Sequence, residues 1–204
     1  MLLDTTHRKL SNISQTPIFQ NLVREFEKYD FYADPLVDSI FPHNNVDSLI
    51  IQVVRTKLAK TYWNWAYRQE LRYKPETTHL IDLAEELSAY LKYEFPGTVW
   101  FKGHYVCLLP NGQQEIHIDR PYWQRHAHRL VVPILTNPQA FTQLENESYH
   151  FEAGQLYEMN ILRNHGSVNR GNNIRVHLFL DYVPLTRWPI LEKFFEENTE
   201  PLTT

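Results

Sequence analysis

His117-Ile118-Asp119, followed by His165 and Arg175, are the residues of this chain whose types and spacing can do chemistry. Two histidines and one carboxylate can hold one face of a divalent metal and leave positions open, the arrangement of non-haem Fe(II) sites. On a strand, residues i and i+2 point to the same face, so His117 and Asp119 would aim two ligands into one pocket. His165 has to come from a distant strand folded alongside. An H-x-D triplet alone is weak, because such triplets arise by chance and their histidines are commonly exposed or hydrogen-bonded.

Arg175 follows His165 by ten residues and opens the run Arg175-Val176-His177-Leu178-Phe179-Leu180-Asp181. Alternation sends Arg175, His177 and Phe179 to one face and the apolar Val176, Leu178 and Leu180 to the other. An arginine aimed into an apolar interior is costly unless it meets a negative group. A guanidinium grips a carboxylate through two parallel hydrogen bonds. Taken alone, Arg175 is more often a salt-bridged strand residue. Taken with the triad, it is where a dicarboxylate co-substrate needs a cation, and the set reads as an Fe(II)- and 2-oxoglutarate-dependent oxygenase.

The elements that must position these residues change character along the chain. Residues 17–28 predict a helix opened by Pro17, with Phe19, Leu22, Val23 and Phe26 as its apolar stripe. Residues 30–47, with Pro35, Pro42 and Asn44-Asn45, read as loop. Leu49–Val54 reads as strand, and the aromatic run Tyr62–Tyr67 as core, a covering layer or a substrate lining. Thr78–Glu94 predicts the best helix, capped by Thr77 or Thr78. After Pro96-Gly97 the pattern turns to strands: 98–109, 114–119, 129–135, 149–151, 155–161 and 174–183, with Asn111-Gly112 supplying a turn. A final helix is expected over 187–197. Helix first and short strands after predict an α+β chain, mainly β: a double-stranded β-helix, or jelly roll, buttressed by N-terminal helices. The domain expectation is one oxygenase domain over 1–204. It has a mostly helical part over 1–97, a metal-bearing β core over 98–184 and a helix with tail over 185–204.

Composition narrows the class. The 204 residues are 43% hydrophobic and 22% charged, which fits one globular domain with a core. Net charge is −4 with no block of Lys or Arg, against the clustered cations that nucleic acid needs. The single cysteine, Cys107, sits in an apolar run and reads as a buried thiol. No apolar run reaches bilayer length and the first residues lack signal-peptide character. The expectation is a cytoplasmic protein without membrane or nucleic-acid partners, acting on a small molecule or amino acid, or on a protein side chain.

From about Tyr105 to Val183 the sequence resembles the aspartyl/asparaginyl β-hydroxylase family, which includes relatives acting on proline. Four blocks in order carry the resemblance: Leu108–Asp119 with its Pro-Asn-Gly turn, Arg129–Pro138, His150–Asn160 with its His-x-x-x-Gly start, and His165–Gly171 leading to the Arg175 strand. The resemblance implies that His117, Asp119 and His165 bind Fe(II) and that Arg175 holds the distal carboxylate of 2-oxoglutarate. It also implies that Arg129 sits near the co-substrate and that O2 completes the cofactor set. Many relatives have a histidine where this chain has Val131, and His126 and His128 are the nearest residues that could stand in. Asp119 departs from relatives that modify aspartyl groups of secreted domains without a carboxylate ligand. A filled ligand position also argues against halogenation. His128, Asn160, Asn169, His177 and Trp123 are candidate pocket residues, with Tyr122 beside Trp123 near the mouth. His104 and His150 read as structural or exposed.

Overall fold

A computed structural model of the chain describes residues 3–29, 48–53, 78–119 and 122–198, with backbone only for 48–53, Thr78 and Asn198. The loop expected over 30–47, the aromatic run at 62–67 and the cap at Thr77 or Thr78 lie outside the described residues or side chains.

The first helix, α1 (Pro17–Lys28), starts as its sequence dictates. Thr16 Oγ1 accepts from the Phe19 amide at 3.4 Å, and Pro17 occupies the first turn, where no amide is needed. Its stripe of Ile18, Phe19, Leu22 and Phe26 is buried, and Val23 packs at the margin. The second helix, α2 (Thr78–Tyr90), tightens into a 3-10 turn at Leu91–Glu94. Together the two helices cover the outer face of a six-stranded antiparallel sheet. Burying one apolar face of each contributes roughly 25 cal/mol per Å2 of apolar area removed from water.

The strands are β1 (His7–Asn12), β2 (Ser48–Val53), β3 (Thr98–Leu108), β4 (Gln113–His117), β5 (His128–Leu135), β6 (Ala140–Leu144), β7 (Glu147–Tyr149), β8 (Gln155–Met159), β9 (His165–Asn169) and β10 (Arg175–Pro184). They form a six-stranded sheet, β1-β8-β5-β10-β3-β2, and a four-stranded sheet, β4-β9-β6-β7. This is the helix-buttressed double-stranded β-helix that the order of elements predicts. β10 lies at its centre, between β5 and β3. Its Val176, Leu178, Leu180 and Tyr182 pack outward under the helices, and Tyr105 and Tyr182 anchor α2 by donating to the Leu80 and Ser88 carbonyls. A second cluster joins Phe101, Trp123 and Val183 to the last helix, α3 (Trp188–Asn198).

Three local expectations change. The segment before residue 98 supplies edge strands to both sides of the large sheet, β1 as well as β2. β1 is charged and half exposed, so its hydrophobic alternation is faint. β6 was not expected, and β7 occupies 147–149 rather than 149–151. β4 ends at His117, so Asp119 lies beyond the strand and is fixed instead by its amide donating to the Ile161 carbonyl at 3.0 Å.

β4 reaches β9 only because residue 166 is glycine. A Cβ there would sit 2.8 Å from the Gln114 carbonyl oxygen, backbone that cannot step aside. Gly166→Ala is therefore expected to push β4 away from β9, at a cost of roughly 1–3 kcal/mol. It should also weaken metal binding, since His117 rides on β4 and His165 adjoins the glycine. Thermal melts and metal titration of the variant test this.

Candidate metal and co-substrate site

The β4–β9 ladder pairs His117 directly with His165. Their rings lie 4.3 Å apart, and Asp119 Oδ1 faces both, 3.4 Å from His117 Nε2 and 3.9 Å from His165 Nε2. One donor atom from each of the three residues falls within 4.8 Å of the others. Each histidine has its tautomer set by the backbone. Nδ1 of His117 donates to the Glu115 carbonyl at 2.8 Å, and Nδ1 of His165 donates to the Arg163 carbonyl at 2.9 Å. A carbonyl can only accept, so Nε2 carries the lone pair toward the shared point, as metal-ligating histidines require. Burial holds His165 neutral, its pKa pushed down to about 4. Burial alone would raise the Asp119 carboxyl, but His117, Arg129 and His165 outweigh it and hold it below the usual carboxylate range. Side-chain exposures of 36% for His117 and 19% for Asp119, against 6% for His165, put the open side at the first two. The donor set and its orientation fit a divalent iron.

The second oxygen of Asp119 is occupied. Oδ2 accepts from Arg129 at 2.8 Å and from Gln124 Nε2 at 2.9 Å. Arg129 also clasps Asp181 through two bonds, Nε at 2.8 Å and its other terminal nitrogen at 3.0 Å. Arg129 was expected beside the co-substrate. Its guanidinium is committed to two carboxylates, one of them a metal-ligand candidate, so it orients Asp119 with Oδ1 toward the two histidines.

Arg175 is different. It is 2% exposed and points into the barrel. Its Nε and one terminal nitrogen face the two His177 ring nitrogens at 3.1 and 2.7 Å, and that terminal nitrogen reaches Thr142 Oγ1 at 3.3 Å. Burial, with Arg175 beside it, keeps His177 neutral, and a neutral imidazole accepts at one nitrogen only. The remaining terminal nitrogen, Nη1, is buried and has no hydrogen-bond partner among the described residues. Among the described residues no carboxylate pairs with this guanidinium, and burial pushes its pKa down to about 9.

The other expected pocket residues divide. His177 lines the barrel beside Arg175. His128 faces away: it bonds Glu158 at 2.6 Å and stacks on Phe95. The His126 ring lies 5.0 Å from Tyr122, tilted against it, so neither replaces the histidine absent at Val131, which is buried in the barrel core. Asn160 ties down the N-terminus through the Leu3 carbonyl, and Asn169 lies within 3.1 Å of the Leu108, Leu109 and Asn173 carbonyls, so both are structural. Trp123 is fully buried with Phe101 and α3, not at the mouth, whereas Tyr122 is exposed. His150, exposed and near the Ala140 carbonyl, and the buried Cys107 match expectation. Sequence reasoning missed Thr142, Gln124 and the buried Asp181 and Lys102; an alternating face of buried polar residues on β10 and β3 was the available signal for the last two, and Thr142 on β6 and Gln124 in the turn after Asp119 carried none.

Lys102 is buried on the barrel side of β3, its ammonium 5.0 Å over the Trp123 ring. Burial pushes its pKa down to about 8. Between that value and the ordinary lysine value the unfolded chain holds a proton that the folded protein has released, so this group makes stability rise with pH. Lys102→Met is expected to raise the melting temperature of the metal-free protein by several degrees at pH 7. That advantage should shrink as pH rises from about 8 to 10. Parallel melts over this range test it.

No protein-family model matches the sequence, and no curated protein matches it. Solved structures do match its fold. One is a viral collagen prolyl hydroxylase from Paramecium bursaria Chlorella virus-1, in complex with 2-oxoglutarate (TM-score 0.51, 9% identity, 89% of this chain and 97% of that one). Another is a 2-oxoglutarate-Fe(II) oxygenase family protein from Burkholderia pseudomallei (TM-score 0.53, 10% identity, 89% and 85%). A third is a prolyl-4-hydroxylase from Pseudomonas putida (TM-score 0.51, 12% identity, 88% and 93%). The fold of this chain is therefore the double-stranded β-helix that those oxygenases share.

Proposed function

We propose that this chain is an Fe(II)- and 2-oxoglutarate-dependent oxygenase that hydroxylates an aliphatic C–H bond of an amino acid or other small molecule. The observation that carries this reading is Arg175, a buried guanidinium with an unmatched donor and no carboxylate partner among the described residues. A cation in that setting is stable only when something negative arrives. The ladder also supplies a length. Thr142, which touches Arg175, pairs with Ser167, and Leu144, two residues on, pairs with His165. Two strand residues span about 7 Å, which suits a five-carbon dicarboxylate with one end at Arg175 and the other at the metal.

In this reading His117, Asp119 and His165 hold Fe(II), and Arg175 with Thr142 holds the distal carboxylate. His177 keeps the guanidinium aimed, and Arg129 and Gln124 lock Asp119 so that only Oδ1 reaches the metal. Iron bound there with 2-oxoglutarate and O2 supplies the oxidising chemistry, with succinate and CO2 as products. The apolar walls, Val106, Val131, Met159 and Phe179, keep water from the reacting centre. Hydroxylation of a protein side chain is the second reading, favoured by the exposed Ile116 and Ile118 on either side of His117.

Anaerobic titration with Fe(II) and 2-oxoglutarate tests the assignment. A weak visible charge-transfer band should need both components and vanish in His165→Ala and Arg175→Ala. Folded, metal-loaded protein without the band would sink the oxygenase reading in favour of a non-catalytic metal-binding protein.

A further inference from the structure

Two of the three metal-site residues take their aim from residues 160–164, the loop between β8 and β9. Asp119 lies past the end of β4, and its amide donates to the Ile161 carbonyl at 3.0 Å. His165 Nδ1 donates to the Arg163 carbonyl at 2.9 Å. Both carbonyls are aimed correctly only while the loop keeps one shape. Asn160 sets that shape from within. Its Oδ1 accepts from the Leu162 amide at 3.1 Å, and its carbonyl accepts from the Arg163 amide at 3.3 Å, so Ile161 and Arg163 are turned as one unit around Asn160.

The unit is tied down at both ends. At the far end the Glu145 amide, from the small sheet, donates to the Asn164 carbonyl at 2.8 Å. At the near end Asn160 is the first residue past β8, and the N-terminal segment holds it. The Asn160 amide donates to the Thr6 carbonyl at 2.9 Å, and its Nδ2 donates to the Leu3 carbonyl at 2.8 Å. The Arg163 guanidinium adds a bond to the Asp4 carbonyl at 2.8 Å. All three acceptors belong to residues 3–6, just before β1. The next residue, His7, pairs through its backbone with Met159 on β8, while its ring lies 4.3 Å from Tyr149 on β7. The segment therefore bridges the two sheets at the loop that aims Asp119 and His165.

We infer that residues 3–7 are a strap for the metal centre, with Asn160 and Arg163 as positioning residues, so that docking of the N-terminal segment and metal affinity are coupled. None of these residues is a metal ligand; they act through the Ile161 and Arg163 carbonyls. This rests on the metal site in the reading above. The coupling is reciprocal: a docked strap that favours metal binding is itself favoured by bound metal, by the same factor. A strap that only held the fold together would add to stability and leave the metal affinity of the folded protein unchanged.

The test is calorimetric titration of the full chain with Co(II), a redox-stable substitute for Fe(II), together with hydrogen exchange read by mass spectrometry. Asn160→Ser separates strap from turn. Its hydroxyl can still accept from the Leu162 amide, as turn-forming serines do, but is too short to reach the Leu3 carbonyl. The variant is expected to bind Co(II) about 10-fold more weakly, the scale of losing an outer partner of a metal ligand. Arg163→Met should have a smaller effect, because its bond to Asp4 is exposed. In the wild-type protein Co(II) should slow exchange of the Asn160 amide and of the β1 amides, and Asn160→Ser should lose most of that protection. The exchange measurement on wild type needs no variant and decides the question even where a variant folds poorly. An Asn160→Ser protein that melts lower yet binds Co(II) as tightly as wild type would overturn the inference. So would wild-type protein whose N-terminal exchange is the same with and without bound Co(II). Wild-type protein that binds no Co(II) would instead reject the metal site itself.

Discussion

Arg175→Met is expected to raise the dissociation constant for 2-oxoglutarate at least about 100-fold while the folded protein melts no lower than wild type. The two halves of this result have one cause. The guanidinium is desolvated, its pKa is pushed down to about 9, and its Nη1 has no hydrogen-bond partner among the described residues. Removing it from the empty protein removes a buried charge without orphaning a carboxylate, which is neutral or stabilising. Removing it from the complex takes a bidentate, charge-assisted pair from a buried carboxylate, worth several kcal/mol. Arg175→Lys keeps the charge but not the planar fork, so it should recover only part of the affinity. Isothermal titration and thermal melts read both quantities. A variant that lost stability with unchanged 2-oxoglutarate affinity would show Arg175 to be an ordinary structural cation.

Arg129→Met should behave in the opposite way. Asp181 is fully buried and both its oxygens depend on Arg129, so the variant leaves an uncompensated charge in the core, a loss of about 3–5 kcal/mol. In a domain of this size that lowers the melting temperature by roughly 6–20 °C. Asp119 loses one of the two donors on Oδ2, and metal affinity should fall about 10–100-fold, the usual effect of losing a partner of a metal ligand. The double variant Arg129→Met/Asp181→Leu separates the two effects. Most of the stability should return, because no charge is left unpaired, but the metal affinity should not, because Asp119 is still short of a donor. Full recovery of metal binding would mean that Arg129 acts only through the stability of the sheet.

The helices and the His117, Asp119 and His165 cluster were open to sequence reasoning because their signals are local or chemically distinctive. The stripe of α1, the long run into α2 and the Asn111-Gly112 turn each follow from residues within a few positions of one another. Asn111 indeed takes the positive φ that such a turn needs, 64°. β1 and β6 escaped for the converse reason. β1 is a charged edge strand whose hydrogen bonds go to β8, far away in sequence, and little hydrophobic alternation marks it. Asp119 reaches the cluster by a route other than the one its spacing suggests. Strand alternation was meant to aim it, yet the strand stops at His117, and the Ile161 carbonyl with Arg129 and Gln124 does the aiming.

By itself the sequence determined which side chains could hold a metal ion together, that an arginine stands ten residues after the last of them, and that a helical layer precedes a β-helix. These depend on residue types, short spacings and periodicities that survive in one dimension. Only the tertiary structure decided which charges meet. It gave Arg129 to Asp181 and Asp119, turned His128 and His126 away from the site, left Arg175 without a carboxylate among the described residues and brought Lys102 and His104 inward. A sequence shows how many cations and anions a chain carries. Which of them are buried together depends on strand pairing between residues that are dozens of positions apart.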